Sequence, residues 1–277
     1  MDYYGQPVRS IQNQFLQLDF LSKAGPRLVR LIPAGTQVNL LAETPEQSWV
    51  TDAGEFHIWG GHRLWHSPEV HARTDIPDDD GVVIETLADG GVRLSRPADA
   101  SGISKAIDVH LDATRPALRL VHFLRNDGLW PVKIAPWAIT QVPLGGQAVI
   151  PCAAPVKEGL LPNRLFVFWP YSNLQDPRLH LSDEYVRVDG IGMPEPFKIG
   201  LYNAQGWVGH IFGEYFLRKS FTPPAIESGP DFGCNTELWV RDRFLEIETL
   251  GAMEWVAPGQ TISHAETWDI LPRNQAP

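Results

Sequence analysis

The stretch Pro230–Ile270, PDFGCNTELWVRDRFLEIETLGAMEWVAPGQTISHAETWDI, decides the fold class. It reads as strand, turn, strand, loop, strand, and it carries acidic residues where a buried sheet would exclude them. In Phe244-Leu245-Glu246-Ile247-Glu248, successive side chains of an extended chain point to opposite faces. Leu245 and Ile247 share one face, and Phe244, Glu246 and Glu248 share the other. Carboxylates two residues apart on one strand face lie about 6–7 Å from each other. If that face is enclosed, repulsion and desolvation raise at least one pKa and make a base suited to neutral pH. If it is open, the pair is a solvated surface.

The same short period recurs along the chain, as in Arg27–Ile32, Ile103–Leu111, Leu118–Leu124, Lys133–Val142, Gly206–Phe212, Thr236–Val240 and Ser263–Leu271. Gly, Pro, Asn and Asp punctuate these runs, and Ala88–Gly91 and Arg241–Arg243 have the length of hairpin connections. With about fourteen such segments, no repeat and no break in composition, the expectation is an all-β protein. Residues 1–277 then form one domain of two large packed antiparallel sheets. A short helix is expected near Thr44–Trp49, with surface loops over His71–Asp80 and Phe221–Pro230.

A net charge of −10 with no basic cluster argues against nucleic acid. No apolar run approaches a membrane span, and MDYYGQPVRS lacks the basic and apolar regions of a signal peptide, so a cytoplasmic protein is expected. Cys152 and Cys234 match no metal spacing and are expected to be reduced. His57, His62, His66 and His71 match no metal-ligand pattern, and no phosphate-binding or dinucleotide loop occurs, so neither metal nor cofactor is expected. Tryptophan is frequent, at ten residues; most read as core, while flat indoles also suit the C–H faces of sugars, with Trp65 and Trp137 the first choices for such a platform.

Gly60-Gly61-His62-Arg63-Leu64-Trp65-His66-Ser67-Pro68-Glu69 concentrates chemistry in ten residues. Its glycines permit close backbone approach or a tight bend, and Arg63 offers a fork for carboxylates or paired hydroxyls. His62 and His66 titrate near neutrality. The plainer reading is a glycine bend with Trp65 in the core and Arg63 paired to a carboxylate such as Glu69. His122, sharing a face with Leu120 and Leu124, reads first as a satisfied core histidine. Lys198 enters a strand, where it holds an anionic group or snorkels at an edge. Asp231 and Asn235 occupy a loop before the acidic strands and serve turns or ligands equally well. Glu237 shares a face with Trp239, and Glu266 caps or pairs an edge of the last strand.

Several of these runs together resemble the galactose mutarotase-like superfamily. They are Phe244–Glu248, the turn Ala257-Pro258-Gly259-Gln260, the last strand His264–Ile270, and Leu124–Gly128 followed by Val132–Trp137. The likeness spans roughly Gly25 to Leu271 and is strongest to a branch without assigned function. It implies a β-supersandwich with the site on the concave face of one sheet. It also implies an aldose 1-epimerase-like reaction on a small-molecule sugar: a glutamate takes the anomeric proton and a histidine protonates the ring oxygen. Glu246 then matches the glutamate, Glu248 is its close rival, and Arg63 matches the substrate-binding arginine. Where mutarotases carry Asn-His-x-Tyr-Phe, this chain reads Ala135-Pro136-Trp137-Ala138-Ile139-Thr140, with Trp137 in place of the histidine. His62, His122 or Lys198 would have to supply the acid. The expected sugar site comprises His62, Arg63, Trp65, Trp137, Lys198, Asp231, Asn235, Glu237, Glu246 and Glu248. Two other functions fit the same fold, a non-catalytic sugar-binding protein and a lyase or hydrolase of acidic sugars. The latter would use Arg63 and Lys198 to neutralise a uronate.

Overall fold

A computed structural model describes residues 2–277. Two large antiparallel sheets pack face to face. The larger runs, edge to edge, through Asp2–Tyr3, Gln6–Gln12, Leu16–Leu21, Arg27–Pro33, His62–Ser67, Val132–Pro143, Phe244–Leu250, Thr236–Val240, Phe197–Leu201 and Phe166–Phe168, with Glu254–Val256 paired to the start of Val132–Pro143. The smaller runs through Leu179–Leu181, Tyr185–Asp189, Gln147–Pro151, Trp207–Phe212, Tyr215–Phe221, Thr261–Pro272, Ala117–Asn126, Ile103–Leu111, Val92–Arg96 and Val83–Thr86. The all-β expectation and the two-sheet sandwich hold.

Alternation builds the interior. Leu245 and Ile247 turn inward with Leu238, Val240, Phe197 and Ile199 against Leu118, Leu120, Leu217 and Trp268 of the smaller sheet. Truncating one such side chain to alanine removes roughly 2–5 kcal/mol. The even-numbered residues of Phe244–Leu250 turn outward, yet the whole strand is buried. Part of its outer face is covered by a separate hairpin, Glu43–Thr51 with Gly54–Gly60, whose Phe56 and Ile58 cluster with Trp65, Trp137 and Ile139.

That hairpin corrects the helix expected near Thr44–Trp49. Ser48-Trp49-Val50-Thr51 pairs in register with Gly54–His57, and an irregularity between Thr44 and Ser48 disguises the strand period. His71–Asp80 opens with one helical turn, His71–Thr74, before its irregular part. Phe221–Pro230 is irregular except for a 3-10 turn at Ile226–Ser228. Cys152 and Cys234 are buried and unpaired.

Candidate functional site

Five adjacent strands of the larger sheet present one outward row in register: Arg63, Ile139, Glu248, Glu237 and Gly200. The next row is Gln141, Glu246, Trp239 and Lys198. Trp65 and Trp137 flank them, edge to face, with ring centroids 5.7 Å apart. Glycines make this layout possible. Gly60 and Gly61 have φ of +90° and +68°, and a Cβ on Gly61 would collide with the Leu28 carbonyl. The chain therefore turns from the hairpin into His62–Ser67 in a space only glycine fits. A Cβ on Gly200 would lie 2.8 Å from Cys234 Sγ and 3.2 Å from Trp169, so this glycine makes room for that indole.

Charges on this face are arranged in two groups. Arg63 donates to Glu246 Oε1 at 2.9 Å and Gln141 Nε2 donates to the same oxygen at 3.1 Å, with the guanidinium 4.6 Å over the Trp65 ring. Lys198 Nζ lies 2.7 Å from Glu237 Oε2 and 3.1 Å from Glu248 Oε2, held between Trp137 and Trp169 at 4.7 and 4.6 Å from their ring centroids. Trp137 Nε1 also donates to Glu248 Oε2 at 2.7 Å. Side chains of Glu237 and Glu248 are wholly buried, whereas Glu246 keeps 10% exposure. Glu246 is the most accessible of the three strand carboxylates.

Two cations face three carboxylates here, so full ionisation would leave one uncompensated negative charge in a buried place. Burial and the Glu248 charge push Glu237 well above the usual carboxylate range despite Lys198. A proton on Glu237 therefore balances the cluster. Burial opposes the Lys198 ammonium, but Glu237 and Glu248 outweigh it and hold its pKa well above that of a free lysine. Glu246 is raised by burial and by Glu248, against the pull of Arg63. Its surroundings thus favour the protonated form more than water does. Half-exposed Tyr171 lies within electrostatic reach of Lys198, Glu248, Glu69 and Glu246, and burial raises its pKa so that it stays an O–H donor.

Arg63, Trp65, Trp137, Lys198, Glu237, Glu246 and Glu248 thus come together on one face. Asp231 stands at its rim, 3.5 Å from Ser67 Oγ. Asn235 does not join them. Its amide exchanges hydrogen bonds with the Asn203 backbone at 2.8 and 3.1 Å, fixing two loops to each other. His62 and His122 are a second correction. Neighbours on a strand face opposite ways, so His62 turns inward where Arg63 turns outward, and both histidines lie between the sheets, 2.7 Å apart. His71 lies 2.8 Å from Asp75 Oδ2 and within 4.8 Å of a Glu69 oxygen.

Between the sheets His62 and His122 belong to a closed donor–acceptor chain. Lysine only donates, so Lys219 Nζ gives a hydrogen bond to Thr140 Oγ1 (2.7 Å), and Thr140 must donate onward to His62 Nδ1 (2.9 Å). His62 then carries its proton on Nε2 and donates to His122 Nε2, and His122 Nδ1 donates to the His264 carbonyl at 3.0 Å. On a second branch His264 Nε2 donates to Thr249, which donates to Glu266, and Trp268 Nε1 donates to Glu266 at 2.8 Å. Lys219 closes the system 3.1 Å from Glu266 and 3.3 Å from the Ile247 carbonyl. Burial keeps His62 and His122 neutral, and it lowers His264 to about 4. Burial would raise Glu266, but Lys219 chiefly holds it far below the usual range. Ring nitrogens and carboxylate oxygens of His62, His122 and Glu266 approach within 4.8 Å. With those nitrogens engaged and Lys219 seated on the carboxylate, the set does not fit a metal ion. Glu266, expected at an edge, is core.

The sequence reading did not single out Gln141, Trp169, Tyr171 or Lys219. Gln141 continues the alternation of Trp137 and Ile139 and was reachable that way. Trp169 follows the short strand Phe166–Phe168 and Tyr171 lies in the turn beyond it, without periodicity.

No family model and no curated protein matches the sequence. Solved structures do match in shape. A candidate aldose 1-epimerase from Escherichia coli K12 aligns with TM-score 0.60 at 13% identity over 97% of this chain and 100% of that one. A galactose mutarotase-like protein from Lactobacillus casei gives 0.59 at 11% over 96% and 100%. A candidate aldose 1-epimerase from Klebsiella pneumoniae gives 0.64 at 10% over 98% and 81%. The chain has the galactose mutarotase-like fold.

Proposed function

We propose that this protein binds a monosaccharide on the outer face of its larger sheet and interconverts its anomers, as an aldose 1-epimerase does. The observation that carries the reading is Glu246: a carboxylate raised by its surroundings, pinned through one oxygen by Arg63 and Gln141, and still reached by solvent among aromatic walls. Its free oxygen takes the proton of the anomeric hydroxyl, the ring opens, C1 rotates, and the ring recloses on either face. Tyr171 offers an O–H to the ring oxygen. As the bond from C1 to the ring oxygen breaks, that phenol passes its proton to the departing oxygen while Glu246 holds the anomeric proton, and both return on reclosure. A phenol with a raised pKa yields its proton reluctantly, so turnover is expected to be slow.

The second reading, sugar binding without turnover, is favoured by Trp137. It occupies the place where the resemblance puts a histidine, and its indole is engaged with Glu248. A lyase or hydrolase of acidic sugars is not favoured, because Arg63 and Lys198 are already neutralised by Glu246, Glu237 and Glu248.

Exchange NMR on pure anomers of glucose and galactose tests the proposal. Accelerated interconversion that falls about a hundredfold or more in Glu246→Gln supports Glu246 as base. Binding with no acceleration supports the second reading, and absence of both rejects the sugar site.

A further inference from the structure

A second cleft, of about 420 Å³, lies between the tip of the hairpin, Trp49–Ala53, and the helical turn His71–Thr74. That is an ordinary size for a small-ligand site. Three lines of contact join it to the sugar site. Along the strand Glu43–Thr51, Thr44 Oγ1 lies 3.4 Å from Gln141 Oε1, and the amide of Gln141 holds Glu246. Glu46 on the same strand pairs with Arg243 at 3.0 Å, and Trp49 stands toward its far end. Through the rings, Trp49 packs on its cross-strand neighbour Phe56 (centroids 4.9 Å apart), and Phe56 packs on Trp65 (5.7 Å). From the helical turn, an oxygen of Asp75 comes within 4.8 Å of one of Glu69, which interacts electrostatically with Lys198 and Glu248.

Trp49 is built as a platform. Its Nε1 donates to buried Asp75 at 3.1 Å and Phe56 supports the ring, so the indole is fixed while it keeps 36% exposure. Asp75 also receives His71 Nδ1 and Thr74 Oγ1, each at 2.8 Å, and so is occupied in holding the walls together. Two polar groups in the cleft stay available. His71 is engaged only through Nδ1 and its side chain is exposed, and the Asp52 carboxylate has no hydrogen bond among the described residues. Val50, Ala53 and Ala72 supply apolar wall. A rigid indole face with apolar flanks and a few free polar groups suits a sugar ring, which offers C–H groups on one face and hydroxyls at its edge.

We infer that the sugar taken here is the reducing end of a disaccharide or longer glycan, whose second ring lies in this cleft with a C–H face on Trp49 and hydroxyls toward Asp52 and His71. This rests on the sugar-binding reading above and names its substrate class. The reducing ring stays at Glu246, because only its anomeric carbon carries the exchangeable hydroxyl. Covering one indole face with a second ring is worth about tenfold in affinity.

Titration calorimetry with glucose, maltose, cellobiose and lactose, the last three all ending in a reducing glucose, tests this. At least one disaccharide is expected to bind about tenfold tighter than glucose. That ratio should fall toward one in Trp49→Ala. It should fall likewise in Ala72→Phe, which fills the cleft from an exposed position and leaves the Trp49–Phe56 contact in place. Disaccharides that bind no tighter than glucose overturn the inference while leaving the sugar site standing. A ratio unchanged in both variants overturns the cleft as the seat of the second ring. If no sugar binds, the sugar-binding reading fails and this inference fails with it.

Discussion

Removing Lys198 tests the charge balance of the outer face most directly. In Lys198→Met a side chain of similar reach replaces the ammonium, so packing between Trp137 and Trp169 is largely kept while Glu237 and Glu248 lose their shared cation. Breaking a buried pair by deleting one partner costs about 3–5 kcal/mol, because the remaining charge is left unsolvated. In a domain of this size each kcal/mol lowers the melting temperature by about 2 °C, giving a loss of about 6–10 °C. The loss should depend on pH. Carboxylates deprived of a cation take up protons more readily folded than unfolded. The folded chain then binds the extra protons, and stability falls as pH rises above the unfolded carboxylate value near 4.3. The deficit relative to wild type is therefore smallest near pH 5 and widest near pH 8, where those protons are lost. Differential scanning calorimetry across that range is the assay. A variant melting within about 1 °C of wild type at pH 8 would refute the claim that Lys198 compensates the buried charge shared by Glu237 and Glu248.

Other expectations follow from the same geometry. Gly61→Ala forces a Cβ into the Leu28 carbonyl at positive φ and should cost about 2–4 kcal/mol, seen as a shifted urea midpoint. Lys219→Met alone should destabilise by about 3–5 kcal/mol, and a Lys219→Met/Glu266→Leu double variant should recover most of that; a double mutant as unstable as the single would discredit the buried ion pair. His264, held to about 4 when folded, binds its proton first in the unfolded chain, so its contribution is complete above about pH 6.5 and declines below it. At pH 5 that loss is about 2 kcal/mol, and His264→Gln should flatten the acid limb of the stability curve by that amount.

The strands were legible because most inward positions are aliphatic and alternate with other residue types. Phe244–Leu250, Thr236–Val240 and Ile103–Leu111 begin and end where alternation places them. Alternation also placed Glu246 and Glu248 on one face with Leu245 and Ile247 on the other. Applied to Gly60–Glu69, the same rule separates His62 from Arg63, and grouping them by nearness in sequence obscured that. The hairpin over Glu43–Gly60 was hidden by its irregular register and a half-exposed, mixed composition. Trp169 and Tyr171 reach the face by tertiary placement of a long connection, which leaves no periodic trace. The inner lysine and its relay were unreadable for another reason: a charged side chain in the interior contradicts the pattern used to find the interior. Only its partners, Glu266 four strands on and Thr140 much earlier in the chain, make it permissible.

The strand Phe244–Leu250 has an evolutionary consequence. Because it is buried on both sides, it has no neutral surface on which substitutions drift freely. Its odd positions answer to the interior between the sheets and its even positions to the outer face, so a lineage can exchange Glu246 or Glu248 for new chemistry without touching Leu245 or Ile247. A single inserted or deleted residue does the opposite. It would swing both acids into the hydrocarbon interior and both aliphatics out, erasing structure and chemistry together. Novelty in this segment should accumulate by replacement at alternate positions and almost never by change of length.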